Sequence, residues 1–299
     1  MANDAMYQQM SAKPGFIAAL DQSGGSTPGA LRAYGIPDSA WHGDEGEMFK
    51  MMHEMRVRIV TSPSFTGTKV IGAILFERTM DGDVKGKPVP SFLWQDRGVV
   101  PFLKVDKGLE TEKDGVALMK PIPGLDTLLA RAVKLGVFGT KMRSVINHAS
   151  KPGIEAIVAQ QCDVARQISA HGLVPIIEPE ISIKSPDKAA CEALLRDALL
   201  ARLDALPKGV RVMLKLTLPE TADFYMPLIK HAGVARVVAL SGGYTRADAC
   251  RRLATNHGMI ASFSRALTEG LTRSMSDSEF DAAQAASIDE IYRASTAKV

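Results

Sequence analysis

Cysteine is scarce in this chain of 299 residues, and what there is lies scattered. Cys162, Cys191 and Cys250 are odd in number and far apart, with no CxxC and no Cys/His cluster. This excludes a disulfide framework and a finger-type zinc site, and it reads as a reducing compartment. Long apolar runs are also missing: none approaches the ~20 residues of a membrane span. The opening "MANDAMYQQMSAKPG" carries no apolar h-region, so no signal peptide is expected. Blocks of one charge are absent too. The 36 Lys and Arg are interspersed with 33 Asp and Glu, giving a net charge of +3. Neither nucleic acid nor a membrane is expected as a partner. Together these absences predict a soluble, cytoplasmic protein.

Several catalytic signatures are missing as well. The six histidines, at 42, 53, 148, 171, 231 and 257, show neither HxH nor HExxH spacing. The stretch His42-Gly43-Asp44-Glu45 reads as a polar loop before a helix. No GxGxxG follows the first apolar run, which argues against a dinucleotide site. No GxSxG is present to mark a serine nucleophile. Neither a metal nor a cofactor is expected.

What the chain does have is 46% hydrophobic residues, ample for a large core. Eight short apolar runs recur: "GFIAALD" (15–21), "KVIGAILFE" (69–77), "GVVPFLKVD" (98–106), "LGVFGTKMR" (135–143), "LVPIIEPEI" (173–181), "RVMLKLT" (211–217), "ARVVALSG" (235–242) and "MIASFSR" (259–265). Most are nearly continuous rather than alternating, as in parallel strands covered on both faces. Helical spacing fills the intervals at 153–172, 185–209, 218–233 and 244–258. A last helix from about 277 opens on a Ser276/Glu279 capping box. Residues 78–97 are rich in turn formers and read as a long loop with a short helical piece.

Eight strands alternating with helices predict a single (β/α)8 barrel domain over 1–299. A helical extension precedes the barrel and a C-terminal helix follows it. A doubly wound open sheet is the alternative.

Functional groups of such a barrel sit at the C-terminal ends of its strands. Here those ends carry Asp21, Lys104 with Asp106, Lys141 with Arg143, Glu178 with Glu180, Lys215, Ser241-Gly242-Gly243 and Arg265. Singly, each has an ordinary reading as a solvated rim residue, a cap or a turn. Jointly, they describe a site that binds an anion or performs chemistry. Lys215 is the odd one, an amine between Leu214 and Leu216 in a run that reads as core. Cationic neighbours and low-dielectric walls favour the neutral form of an amine, and a neutral amine attacks carbonyls. A nearby carboxylate can shuttle protons for that attack. The Ser-Gly-Gly turn offers backbone N–H groups, and Arg265 a donor fork, to a phosphate.

The motifs "ALDQSGGS" (19–26), "FLKVDKG" (102–108), "GTKMR" (139–143), "IIEPEI" (176–181), "MLKLT" (213–217), "ALSGG" (239–243) and "SFSRAL" (262–267) occur in one order. In these the chain resembles class I fructose-1,6-bisphosphate aldolase in its shorter bacterial form. The resemblance implies reversible cleavage of fructose 1,6-bisphosphate to dihydroxyacetone phosphate and glyceraldehyde 3-phosphate. It implies a lysine Schiff base in place of any metal or cofactor, with a small sugar phosphate as the binding partner. By the same resemblance Lys215 is the Schiff-base lysine and Glu178 the acid/base for the imine. Asp21 stands near the bond being cleaved, and Lys141 assists the carbinolamine and keeps the cluster positive. Lys104 and Arg143 match residues beside the substrate. Ser241, Gly242 and Arg265, with the adjoining Gly243, match the ketone-side phosphate site, and Ser23 and Ser26 lie near the other phosphate.

Two departures adjoin the site. Gln22 stands where the animal branch has an acidic residue, and Ser264 replaces a glycine before Arg265. The chain ends "IYRASTAKV", so the role of the animal enzymes' tyrosine-ended tail is not carried over. Another Schiff-base aldolase or a transaldolase is the nearest alternative; a phosphosugar isomerase and a non-catalytic sugar-phosphate binder are the others. Oligomeric state stays open, a homo-oligomer included.

Overall fold

Val, Leu and Ile are the commonest residues across the eight apolar runs, and every run forms a strand. The computed structural model describes residues 4–207 and 209–299. The strands are β1 (Phe16–Leu20), β2 (Val70–Leu75), β3 (Val100–Lys104), β4 (Gly139–Ile146), β5 (Val174–Ile181), β6 (Val212–Thr217), β7 (Val234–Leu240) and β8 (Met259–Phe263). Each pairs in parallel with its sequence neighbours, and β8 pairs back onto β1. The eight strands therefore close into a barrel, and a short ninth strand, Val116–Ala117, adds antiparallel to the far end of β4.

The period of two separates two cores. Ile17, Val100, Phe102, Ile176, Met213, Val238 and Ile260 fill the barrel interior. Ala18, Leu103, Ile177, Leu214 and Ala239 face outward into a second, larger core shared with the helices. The longer helices are α1 (Asp4–Ala12), α2 (Thr27–Ala33), α3 (Glu45–Thr61), α4 (Leu125–Lys134), α5 (Lys151–Ala170), α6 (Lys188–Asp204), α7 (Arg246–Ala254) and α8 (Asp277–Thr296). The Ser276/Glu279 capping box opens α8. Helix α1 is the N-terminal extension, and it closes the end of the barrel opposite the polar strand ends. Its Met6 and Met10 join the interior core. Gln9 Nε2 donates to the Ile71 and Gly98 carbonyls at 2.8 and 2.7 Å, and Arg236 Nε donates to Met10 O at 2.9 Å. Among the described residues, no helix is long and apolar enough to cross a membrane.

Three elements differ from the sequence reading. Strand β4 starts at Gly139 rather than 135, because Gly136 at φ 81° turns the chain out of α4. It then continues past Arg143, since Ser144–Ile146 pair with Pro179–Ile181 of β5. Most of the helix expected at 218–233 is irregular; only Met226–Ile229 is helical, after a left-handed Asp223 at φ 59°. The stretch 78–97 holds a two-stranded hairpin, Asp83–Val84 with Lys87–Pro88, followed by a π-helical turn at Phe92–Asp96.

Candidate active site

Alternation carries each interior row from apolar to polar at the C-terminal end of the barrel. Ile17 and Ala19 lead to Asp21, and Val100 and Phe102 to Lys104 and Asp106. Val174 and Ile176 lead to Glu178 and Glu180, and Met213 leads to Lys215. The same period on β4 aligns Lys141 with Arg143, and Lys141 sits beside Lys104 in the ladder. Six of these strand-end groups join in one ion-pair network. Lys215, 4% exposed, has its Nζ 3.0 Å from Glu178 Oε1. The other oxygen of Glu178 lies 3.0 Å from Lys141 Nζ, which is also 2.6 Å from Asp21 Oδ2 and 3.9 Å from Asp106 Oδ2. Lys104 pairs with Asp106 at 2.7 Å and donates to its carbonyl at 2.8 Å.

The balance of charge differs from the positive cluster expected. Three ammonium groups face three carboxylates, and the direct partner of Lys215 is an anion. Burial pushes the Asp21 carboxyl up, but Lys141, Lys215 and Lys104 outweigh it and hold the group far below the usual carboxylate range. Burial likewise lowers Lys141, but Asp21, Glu178 and Asp106 raise it well above an ordinary lysine. At neutral pH this pair is a fixed anion and a fixed cation. Among the described residues, no group of three or more His, Cys, Asp and Glu is arranged to hold a metal ion.

Backbone supports sit behind the pair formed by Lys215 and Glu178. The Glu178 N–H donates to Gln161 Oε1 of α5 at 2.9 Å. The β5–β6 ladder aligns Ile176 and Ile177 with Met213 and Leu214 and goes no further. Beyond it, Thr217 Oγ1 donates to Ile181 O at 2.8 Å and accepts from Ile181 N at 2.9 Å, tying the strands together again.

A cleft of about 390 Å³ opens beside the cluster, lined by Arg143, Glu180, Lys184, Gly242, Gly243 and Arg265 among others. Arg143 pairs through Nε with Glu180 Oε2. Gly242 and Gly243 both have positive φ, 60° and 116°, and a Cβ on Gly242 would lie 2.7 Å from Ile183 Cγ2. Ser241, just before them, is buried. Ser23 and Ser26 stand apart in the turn after β1, where the Ser23 N–H donates to Ser26 Oγ and that hydroxyl donates to Ser23 O, both at 3.1 Å.

Sequence reasoning assigned no role to Asp106, Gln161 or Arg56. Asp106 was visible as a strand end two residues beyond Lys104. Gln161 falls in the buried stripe of α5 at 154, 157, 158, 161 and 165, and Arg56 in that of α3 at 48, 52, 55, 56 and 59. A polar residue on an apolar stripe was the available signal for both.

Comparison with known proteins gives concordant matches. The family model for class I fructose-bisphosphate aldolase matches residues 47–222. A "Fructose-bisphosphate aldolase class 1" of Synechocystis sp. is 59% identical over 293 residues, covering 98% of this chain and 97% of that protein. The protein of the same description from Porphyromonas gingivalis is 54% identical, covering 98% and 99%. A solved fructose-bisphosphate aldolase from Plasmodium falciparum superposes with a TM-score of 0.79 at 20% identity, over 98% of this chain and 94% of that one, and supports the barrel fold. With more than half of its length in the family model and near-complete relatives above 50% identity, the chain belongs to the class I fructose-bisphosphate aldolase family.

Proposed function

We propose that this barrel cleaves fructose 1,6-bisphosphate reversibly to dihydroxyacetone phosphate and glyceraldehyde 3-phosphate, through a Schiff base on Lys215. The observation that carries the reading is the 3.0 Å contact between buried Lys215 Nζ and Glu178 Oε1. A proton passing from Nζ to Glu178 across that contact leaves a neutral amine inside the barrel. The amine attacks the C2 ketone to give a carbinolamine. Protonated Glu178 then delivers its proton to the departing hydroxyl, and water leaves an iminium. The C3–C4 bond breaks toward the iminium, its electron pair forming the enamine, as the C4 hydroxyl gives up its proton.

Asp21 is a poor acceptor for that proton, because three lysines hold it as a stable anion. Glu178 is the better placed base, and Asp21 keeps Lys141 fixed beside it. The aldehyde leaves first; the enamine is then protonated and its imine hydrolysed. Ser241, Gly242, Gly243 and Arg265 take the ketone-side phosphate, and Ser23 and Ser26 the other. Lys104 and Arg143 flank the sugar. We place the enzyme in the cytoplasm, in sugar-phosphate breakdown and synthesis, with residues 1–299 working as one domain; its three free, buried cysteines suit a reducing compartment.

Borohydride reduction with fructose 1,6-bisphosphate, followed by peptide mass analysis, tests the assignment. The expected result is a reduced adduct on Lys215. An adduct on another residue, or turnover that a chelator abolishes, overturns it.

A further inference from the structure

The two departures that adjoin the site, Gln22 and Ser264, are bonded to each other. Gln22 follows Asp21 at the end of β1, and Ser264 follows β8 and precedes Arg265. Gln22 Nε2 donates to Ser264 Oγ at 2.7 Å. Behind them lies Arg56 of α3, 2% exposed and with no carboxylate in ion-pair contact among the described residues. Arg56 donates to Thr79 Oγ1 at 2.6 Å, to Gln22 O at 2.5 Å and to Gln22 Oε1 at 3.3 Å.

This arrangement decides the direction of each bond. A guanidinium has only donors, so the Gln22 atom facing Arg56 is the amide oxygen. The amide NH₂ therefore faces Ser264, and the Ser264 hydroxyl accepts. A hydroxyl that accepts still has its own proton to donate, and among the described residues no protein acceptor takes it. That free donor stands half-buried next to Arg265, just past the end of β8, the strand adjoining β7, which Ser241-Gly242-Gly243 follow.

We propose that the Ser264 hydroxyl is a further ligand of the ketone-side phosphate, its proton turned toward that anion by Gln22. Gln22 is then a positioning residue, locked by Arg56. A glutamate at position 22 would suit Arg56 better, but it would accept from Ser264 and take the proton away from the ligand. This explains an amide where a buried arginine otherwise invites a carboxylate. The inference rests on the aldolase reading for the identity of the phosphate, but its chemistry is that of anion binding.

The test is calorimetric binding of inorganic phosphate and of dihydroxyacetone phosphate, alongside steady-state kinetics on fructose 1,6-bisphosphate. Losing a hydrogen bond to a charged group lowers affinity by about tenfold or more. Ser264→Ala is expected to weaken phosphate binding by about that factor and raise KM with little change in kcat; Ser264→Thr restores both. Gln22→Glu is expected to weaken binding in the wild-type background and much less in Ser264→Ala. Unchanged phosphate affinity in Ser264→Ala overturns the proposal. So does an equal cost of Gln22→Glu in both backgrounds, which is the signature of charge repulsion alone. Inorganic phosphate forms no imine, so this result stands whether or not borohydride labels Lys215.

Discussion

Buried charges at this site are tolerable because each one is paired. Lys215, Lys141, Glu178, Asp21 and Asp106 are all less than 9% exposed, and an isolated ion at such burial is costly. Asp21 and Lys141 form the tightest link, and their shifts set the pH window of its contribution. Asp21 is lowered in the fold, so its contribution is complete above the usual aspartate value of 3.8 and fades as acid protonates it. Lys141 is raised, so its contribution is complete below the usual lysine value of 10.5 and fades only in stronger alkali. Removing one partner of a buried pair costs about 3–5 kcal/mol. Asp21→Asn is therefore expected to lower stability by that order, constantly from about pH 5 to pH 9, with the gap to wild type closing in stronger acid. Urea denaturation across pH checks this; a gap that instead widens in acid contradicts the pairing. The identities of Lys215, Glu178, Lys141 and Asp21 were legible as charges ending apolar runs. Their balance was not, because whether Lys215 faces a cation or an anion depends on distances between strands.

Close packing of strands is decided by their smallest residues. Gly139 opens β4 inside the barrel, where an added Cβ would lie 2.2 Å from Val174 O and 2.8 Å from Phe102 Cε1. The carbonyl belongs to β5 and cannot retreat without disturbing the ladder that holds Glu178 opposite Arg143. Overpacking of this kind costs about 1–3 kcal/mol. Gly139→Ala should show that loss as a lowered urea midpoint, and an unshifted midpoint would mean the strands separate more easily than drawn. At this scale the strands were readable because both faces are buried, which makes their apolar runs continuous. The helix expected at 218–233 misled for a related reason. Phe224, Tyr225, Leu228 and Ile229 imitate helical spacing, but Pro219 and left-handed Asp223 leave only one turn of helix.

The barrel is closed at one end by α1 and open at the other, where the ion-pair cluster and the cleft lie. Met6 and Met10 bury their side chains in the barrel interior, each worth about 1.5–3 kcal/mol. Deleting residues 1–13 should therefore cost about 3–6 kcal/mol in chemical denaturation, with borohydride labelling of Lys215 retained under conditions where the barrel stays folded. Loss of labelling in a folded truncation would show that the plug also shapes the site. Local periodicity alone determined the eight strands, most of the helices and the strand-end residues, because each depends on neighbours a few positions away. It is silent on contacts such as Gln22 with Ser264, which are 242 residues apart. Barrel closure brings β8 beside β1, and that closure decides which charges pair, which carboxylate reaches Lys215 and which way a serine proton points.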